Sequence, residues 1–283
     1  MSNGLFNGLD NGLTKGEFNG QRNGLENGMF ENETVIKKEV IQNGLQLYLD
    51  FSNPRCYNYG QGQIGDTIYN LIKGGGKNLS VQNLTGRAVP NAPYVDYAPF
   101  AHWNNYTLNG INQSYLASPN NTDFDIGTSA GFTVSMWIKV VATAPDYCVI
   151  FGKTFYGSVV NRYQVHTLAN GVFGFLIQID NNTHIETPQN TFTIGKWCYL
   201  TATYIRDYGI RLYVNNVLLA SGTTTPTESN LTINANYRIG THSGNFNASG
   251  ARFEMNYYTH YNRALSRDEL TYNYNTTKAF MKV

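Results

Sequence analysis

The chain has 283 residues, with 20 lysine and arginine residues against 19 aspartate and glutamate residues, for a formal net charge of +1. This balance does not provide the concentrated basic face that nucleic-acid binding requires, so we expect no nucleic-acid partner. No stretch has the apolar length of a transmembrane helix, and the N-terminus lacks the basic-then-apolar pattern of a signal peptide. We therefore expect neither a membrane span nor secretion.

An Asn-Gly repeat dominates residues 1–33, where glycine recurs every four residues from Gly4 to Gly28. A period of four matches neither the 3.6 of a helix nor the 2 of a strand, and Asn-Gly favours tight turns. Large apolar side chains recur on the repeat: Leu5, Phe6, Leu9, Leu13, Phe18, Leu25, Met29 and Phe30. Because a flexible spacer needs none of them, we interpret residues 1–33 as an anchoring arm that orders on a partner. The alternative is a disordered terminus.

After a linker at residues 34–42, residues 43–283 are predicted to form one all-β domain. Residues 53–106 have no clear period and are predicted to be irregular. In FTVSMWIKVV the alternation puts Phe132, Val134, Met136 and Ile138 on one face and Trp137 on the other. The other predicted strands are LQLYLDF, CVIFGK, RYQVHTL, GVFGFLIQID, CYLTATYI, IRLYV, VLLASG, NYRIG and ARFEMNYYTHYN.

Two short sequence patterns predict a turn and a helix. The pair Asn215-Asn216 lies between two apolar runs and predicts a tight hairpin. Ser266, followed three residues later by Glu269, has the spacing of a capping box and predicts a short helix from Arg267 to about Tyr274. Many strands with so little helix predict a two-sheet antiparallel β-sandwich of the jelly-roll kind.

The segments GLQLYLDFSNPRCY, LNGINQSYL, FTVSMWIK, KWCYLTATY, RLYVNNVLLASG, YRIG and HYNRALSRDELTYNYNTTK occur in an order typical of a known family. Over residues 43–279 they resemble the laminin-G-like branch of the concanavalin A-like lectin/glucanase superfamily. The last block is similar to domains of tailed-phage and large DNA virus structural proteins. The Asn-Gly arm is similar to the N-termini of giant-virus virion proteins.

The resemblance implies a test for catalysis, because glucanases of this superfamily cleave sugar chains with carboxylates spaced E-x-D-x-x-E or E-x-D-x-E on one strand. No such triplet occurs in this sequence, where Glu186, Glu228 and Glu254 stand alone. The five histidines show no H-E-x-x-H or related metal spacing. We therefore expect no enzymatic activity.

The resemblance also implies a calcium site at one rim, which many laminin-G-like domains have. The acidic pair of the family's D-G-x-x-D block is replaced here by amides, at Asn109 and at Asn112-Gln113. Since Ca²⁺ requires several oxygen ligands including carboxylates, this loss disfavours calcium. The remaining candidate ligands are Asp123, Asp125 and Asp180, which turn formation also explains. No other cofactor is implied.

A sugar site requires an aromatic platform beside amide groups. The sequence YVDYAPFAHWNNY supplies both in a region that is predicted to be a loop. We expect Trp103 to be the stacking residue, unless this stretch only covers a sheet face. The candidate glycan-binding residues are Tyr97, His102, Trp103, Asn104, Asn105 and Tyr106.

Together these observations predict a non-catalytic structural protein of a virus particle, made in the host cytoplasm and located in the virion. Its arm would bind other virion or capsid proteins, and its jelly roll would be displayed as a minor capsid or attachment component that contacts host glycans. A homo-oligomer is compatible with such an arm. The alternatives are a soluble carbohydrate-binding lectin and a degenerate glycosidase.

Overall fold

The computed structural model describes residues 39–56, 66–72, 76–83, 94–95, 101–104, 114–120, 122–127, 129–142, 148–154, 162–179, 181–223, 233, 235–241 and 252–281. The chain divides into two units, Met1–Glu39 and Val40–Val283. The predicted arm at residues 1–33 lies outside the described residues, as do residues 34–38 of the linker. The predicted boundaries of arm, linker and domain stay predictions.

The described part of the second unit is built mainly of strands. In chain order they are β1 (Leu45–Leu49), β2 (Thr67–Ile68), β3 (Leu79–Asn83), β4 (Tyr94–Val95), β5 (Ala101–Asn104), β6 (Ser114–Ala117), β7 (Gly131–Ala142), β8 (Cys148–Lys153), β9 (Arg162–Leu168), β10 (Val172–Ile179), β11 (Asn181–Glu186), β12 (Trp197–Ile205), β13 (Gly209–Val214), β14 (Val217–Gly222), β15 (Arg238–Ile239) and β16 (Arg252–Tyr261). A single-turn 3₁₀ segment, Ala169–Gly171, joins β9 to β10.

These strands form two eight-stranded sheets. The first has the order β14-β13-β12-β7-β16-β5-β4, and β1 pairs with the part of β16 that β5 leaves uncovered. The second has the order β11-β10-β9-β8-β15-β6-β3-β2. Neighbouring strands pair antiparallel, which confirms the predicted two-sheet sandwich of the jelly-roll kind.

Strand β7 shows how the sequence builds the core. Phe132, Val134, Met136 and Ile138 all belong to the buried cluster between the sheets, as the alternation predicts. Trp137 points to the other face, where it packs with a separate buried cluster beside a helix. One strand therefore supplies both the sandwich core and a second apolar layer.

That helix, α1 (Arg267–Met281), begins where the capping box predicts. The backbone amide of Glu269 donates to Ser266 Oγ at 3.3 Å, and the amide of Ser266 donates to Glu269 Oε2 at 2.8 Å. Arg263 adds two hydrogen bonds to the same carboxylate and donates through Nε to the carbonyl of Asn43. Among the described residues, no helix is long and apolar enough to cross a membrane.

The prediction that α1 ends near Tyr274 was wrong, because the helix runs on to Met281. Asparagine and threonine have low helix propensity, so the sequence suggests an early end. Here their side chains are used in tertiary contacts. Asn273 donates to the Tyr261 hydroxyl, and Thr277 Oγ1 accepts a 2.9 Å bond from Trp137 Nε1. Packing against the sheet therefore outweighs propensity.

The prediction of an irregular stretch from residue 53 to residue 106 was also wrong in part. Strands β2, β3, β4 and β5 all lie within it. Each has only two to five residues, so none is long enough to show a clear alternation. Their partners define them, since β3 pairs with β6 and β5 pairs with β16.

The Asn215-Asn216 turn confirms the predicted hairpin. Both residues have positive φ, 49° and 65°, as a two-residue type I′ turn requires. The turn joins β13 to β14, and Val214 pairs directly with Val217. Asparagine tolerates this backbone region better than most residues, which explains its use at both positions.

Candidate functional site

A cleft of about 690 Å³, called here the rim cleft, opens at the end of the sandwich where β1 and β7 begin and β16 ends. Pairing brings these three chain segments together, because Leu45 and Thr133 both pair with Tyr261. The apolar part of the lining includes Leu45, Phe124 and Phe132. The polar part includes Gln46, Lys77, Asp123, Asp125, His260 and Asn262.

The turn at residues 122–126 forms one side of the rim cleft. The amide of Asn120 donates to Asp123 Oδ2 at 2.9 Å, which closes the turn. Phe124 has a φ of 59°, which is uncommon for a residue other than glycine. Its carbonyl accepts a 2.9 Å hydrogen bond from the hydroxyl of Tyr163 in β9. The second sheet therefore helps to hold the backbone of this turn in place.

Lys153, at the end of β8, holds the same turn in place through its ammonium group, which binds two residues of the turn. Its side chain is fully buried, and its Nζ lies 2.9 Å from the carbonyl of Asp123 and 2.5 Å from Asp125 Oδ1. Burial lowers the pKa of Lys153, an effect that the hydrogen bond to Asp125 opposes. Asp125 Oδ1 also accepts the backbone amide of Ile233 at 3.1 Å. The Asp125 carboxylate is thus held by the protein itself.

A β-bulge brings His260 into the rim cleft. Asn256 pairs with Trp137 and Thr259 with Ser135, so β16 uses three steps where β7 uses two. Tyr257, at the extra step, has a φ of 49°. The bulge reverses the alternation beyond it. As a result, Met255 and Tyr258 both belong to the core cluster, and the two-residue period beyond Tyr258 places His260 on the core side.

His260 is surrounded by aromatic rings at the base of the rim cleft. The ring centroids of Phe124, Tyr237 and Phe132 lie 5.0, 5.3 and 5.8 Å from that of His260, whose surface is only 3% exposed. Burial, with a further contribution from Lys153, lowers the pKa of His260 to about 3. Its Nδ1 has no hydrogen-bond partner among the described residues. The imidazole is therefore neutral, and one of its ring nitrogens is left unsatisfied.

The candidate calcium ligands are placed as follows. Asp123 and Asp125 both line the rim cleft, two residues apart on one turn, and Asp180 lies outside the described residues. Asp123 closes the turn and lies 3.5 Å from Lys77 Nζ, while Asp125 binds Lys153. Within the described ranges, no group of three or more His, Cys, Asp or Glu side chains is arranged to hold a metal ion. The turn-forming interpretation accounts for what is seen of this pair.

The candidate glycan-binding residues are described only in part. Tyr97, Asn105 and Tyr106 lie outside the described residues. The other three, His102, Trp103 and Asn104, belong to β5 and not to a loop, so that prediction was wrong about the local structure. Trp103 pairs with Phe253 and His102 with Glu254 through the backbone. Whether these residues bind a glycan stays a prediction.

The rim-cleft residues Gln46, Lys77, His260 and Asn262 are not recognisable as a site from the sequence. Gln46, Lys77 and the pair His260 and Asn262 come from three distant parts of the sequence, which the folding of the chain brings together. The one local signal of this site in the sequence is Asn256-Tyr257-Tyr258. Two aromatic residues follow each other there and interrupt the alternation of the strand, as a bulge does. Chemically, the rim cleft offers amide, ammonium and carboxylate groups beside aromatic rings, which suits a neutral ligand with several hydroxyl groups.

Comparison with known proteins identifies the fold. A family model described as the concanavalin A-like lectin/glucanases superfamily matches residues 109–271. No curated protein matches the sequence. Among solved structures, the receptor binding domain of botulinum neurotoxin C/D mosaic serotype is 14% identical with a TM-score of 0.57, covering 83% of this chain and 52% of that chain.

Two further solved structures are similar to the same extent. The binding domain of Paraclostridial Mosquitocidal Protein 1 is 17% identical with a TM-score of 0.55, over 83% of this chain and 52% of that one. The binding domain of botulinum neurotoxin DC in complex with SialylT is 12% identical with a TM-score of 0.56, over the same shares, 83% and 52%. The chain thus spans about half the length of these structures, and at such identities the likeness shows the fold alone.

Proposed function

Because the chain belongs to the concanavalin A-like lectin/glucanases superfamily, we propose that its jelly roll is a non-catalytic, lectin-like domain that binds a carbohydrate in the rim cleft. The observation that carries this proposal is the buried His260, whose Nδ1 lacks a partner among the described residues at the base of a cleft with polar walls. The nitrogen itself is buried, so a ligand hydroxyl group would satisfy it after a small movement of the side chains that line the rim cleft. Amide and charged groups at the mouth then fix the orientation of the sugar.

The absence of catalysis is part of the proposal and rests on how the acids of the rim cleft are used. Glycoside hydrolysis requires two carboxyl groups on opposite sides of the scissile bond, one of them donating a proton. Asp123 and Asp125 lie on one turn, not on opposed walls, and both are engaged by lysine ammonium groups. Glu254, elsewhere in β16, forms an ion pair with Lys139. These acids are placed for structure.

The solved structures with the same fold support carbohydrate recognition as a class of function. One is described as a receptor binding domain, and another, described as a binding domain, was determined in complex with SialylT. Those descriptions apply to the toxins, but they make sialylated sugars a sensible part of any ligand panel for this chain. They do not indicate which residues of this chain would bind a sugar.

We further propose that this domain is carried on a virus particle through the arm at residues 1–33. Support comes from the sequence, where apolar side chains recur on an Asn-Gly repeat that neither helix nor strand explains. Other virion or capsid proteins would be the partners of the arm, and host glycans would be the partners of the jelly roll. A soluble lectin that never enters a particle is the second candidate.

Glycan-array binding of the full chain tests the first proposal. Gln46→Ala and Asn262→Ala remove exposed amides from the rim cleft, and Thr122→Trp narrows its mouth. Tyr272→Ala, on the exposed side of α1, is the matched control. For Gln46→Ala and Asn262→Ala we expect about a tenfold loss of affinity each, which corresponds to one lost hydrogen-bonded contact. We expect Thr122→Trp to weaken binding by obstructing the cleft, and no change for the control.

Two results would refute the site. Binding that survives all three rim-cleft variants but is lost in Trp103→Ala would move the site to the platform predicted from the sequence. A chain that binds no member of the panel would leave an assembly role without sugar recognition. Hydrolysis of any β-glucan or sialoside in the panel would contradict the non-catalytic assignment. Locating the chain in purified particles by mass spectrometry tests the virion proposal separately.

A further inference from the structure

Two histidines meet on the second sheet, away from the residues that line the rim cleft. His166 lies in β9 and His184 in β11, and β10 runs between them. Across β10, Gly174 pairs with His166 on one side and with Glu186 on the other. A Cβ atom at Gly174 would overlap the imidazole of His166. The glycine therefore leaves the space through which His166 reaches across β10 to His184.

The two imidazoles face each other with the spacing of metal ligands. The distance between His166 Nε2 and His184 Nε2 is 3.2 Å. Two nitrogens that bind one Zn²⁺ at roughly 2.0–2.1 Å with a tetrahedral angle are about 3.3 Å apart. The same distance also fits a hydrogen bond between the two rings, so the distance alone does not decide between them.

Glu186 provides the second observation. Its Oε1 lies 3.7 Å from His184 Nδ1, on the side of the ring opposite Nε2. This distance is too long for a direct hydrogen bond, but the negative charge favours the tautomer with its proton on Nδ1, in which Nε2 can act as a ligand, as is usual for metal-binding histidines. Gly174 in β10, the direct pairing partner of Glu186, has no side chain that could stand between the carboxylate and the pair.

The charged groups around the two histidines have opposite effects on a bound cation. Burial, together with His184 and Arg162, lowers the pKa of His166 to about 3, so this imidazole is neutral at pH 7 and able to act as a ligand. Arg162 opposes a bound cation, whereas the Glu186 carboxylate favours one. Because these two charges act against each other, the two nitrogens have to provide most of the affinity.

We propose that His166 and His184 form an open two-histidine site for a borderline divalent transition metal such as Zn²⁺, with Glu186 orienting His184. Imidazole ligands suit Zn²⁺, Ni²⁺ and Cu²⁺ better than Ca²⁺ or Mg²⁺, which require oxygen ligands. No described group of three or more His, Cys, Asp or Glu side chains could hold a metal. The remaining coordination positions are therefore open to water or to an exogenous ligand.

Zinc titration of the full chain, purified without a histidine tag and freed of metal by chelation, tests the proposal. Isothermal calorimetry should give one Zn²⁺ per chain, and Co²⁺ substitution should give visible absorption bands from nitrogen coordination. His184→Gln keeps a hydrogen-bond donor near His166 but removes the metal ligand, and we expect it to weaken binding about 100-fold. Glu186→Gln should weaken it about tenfold, as expected for an orienting carboxylate.

The controls separate a site from adventitious binding. Lys196→Ala, an exposed change elsewhere on the domain, should bind Zn²⁺ like the wild type, and Ca²⁺ should produce no heat at the same concentrations. Equal Zn²⁺ affinity in wild type and His184→Gln would overturn the proposal. So would wild type that binds no Zn²⁺, since the pair would then be only a hydrogen-bonded contact. Neither result bears on carbohydrate binding in the rim cleft.

Discussion

Acidification should destabilise this domain mainly through two buried histidines. The pKa values of His166 and His260 are both lowered to about 3, by burial first, and then by His184 and Arg162 for His166 and by Lys153 for His260. A histidine in the unfolded chain has a pKa near 6.5. Between pH 6.5 and pH 3 these two histidines are therefore protonated in the unfolded chain but stay neutral in the folded chain. The stability from the neutral imidazoles is complete above pH 6.5 and is lost as the pH falls toward 3.

The size of the effect follows from those two pKa values. Each histidine should lower the free energy of unfolding by about 1.4 kcal/mol for every pH unit below 6.5. From pH 7 to pH 5 this amounts to about 2 kcal/mol for each group and about 4 kcal/mol for both. The carboxyl of Glu269, whose pKa the Arg263 hydrogen bonds lower to about 2, keeps its contribution above pH 4.5 and changes little over this range.

Urea unfolding at pH 7, 6 and 5 in the presence of a metal chelator measures the effect. His260→Gln and His166→Gln each replace a titrating ring with a neutral amide. Either change should remove about half of the pH dependence, whatever it does to stability at pH 7. If the free energy of unfolding of the wild type falls by about 4 kcal/mol between pH 7 and pH 5 and neither variant reduces this fall, the effect does not come from His166 and His260. A free energy of unfolding that rises on acidification would refute the sign.

Two further predictions concern the contacts that hold the helix and the rim turn. Ser266→Ala should lower the free energy of unfolding by about 1 kcal/mol through loss of the N-cap, measured by urea unfolding with the exposed change Lys196→Ala as control; an unchanged value would contradict the capping box. Lys153→Met should cost about 3 kcal/mol because Asp125 loses its buried partner, and the double variant Lys153→Met/Asp125→Asn should recover part of that. Equal stability of the single and double variants would contradict the pairing.

The parts of the fold that depend on local pattern could be predicted from the sequence. The alternation in β7 placed Phe132 and Met136 in the core. The spacing of Ser266 and Glu269 placed the start of α1, and Asn215-Asn216 placed a hairpin turn. In each case the signal lies within a few residues, and the physical cause is a preference of the backbone or of one strand face.

The parts that depend on distant partners could not be predicted in this way. Strand β5 exists because β16 offers hydrogen-bonding groups beside it, and the last turns of α1 exist because Trp137 and Tyr261 satisfy Thr277 and Asn273. No window of sequence around these elements contains their partner. The rim cleft is an extreme case, since three strand ends and a turn that are separated along the chain contribute to it.

His260 shows that the folded chain can indicate a functional residue that the sequence pattern does not. Alternation from Met255 would put His260 on the outer face, and only the bulge at Tyr257 brings it inward. An unsatisfied buried polar group costs about 1–3 kcal/mol, and a bulge and a non-glycine residue at positive φ accompany it here. A phenylalanine at this position would fill the same aromatic surroundings without that cost. A ligand hydroxyl group or a bound water that reaches the imidazole from the rim cleft would remove that cost, which is what the proposed carbohydrate site supplies.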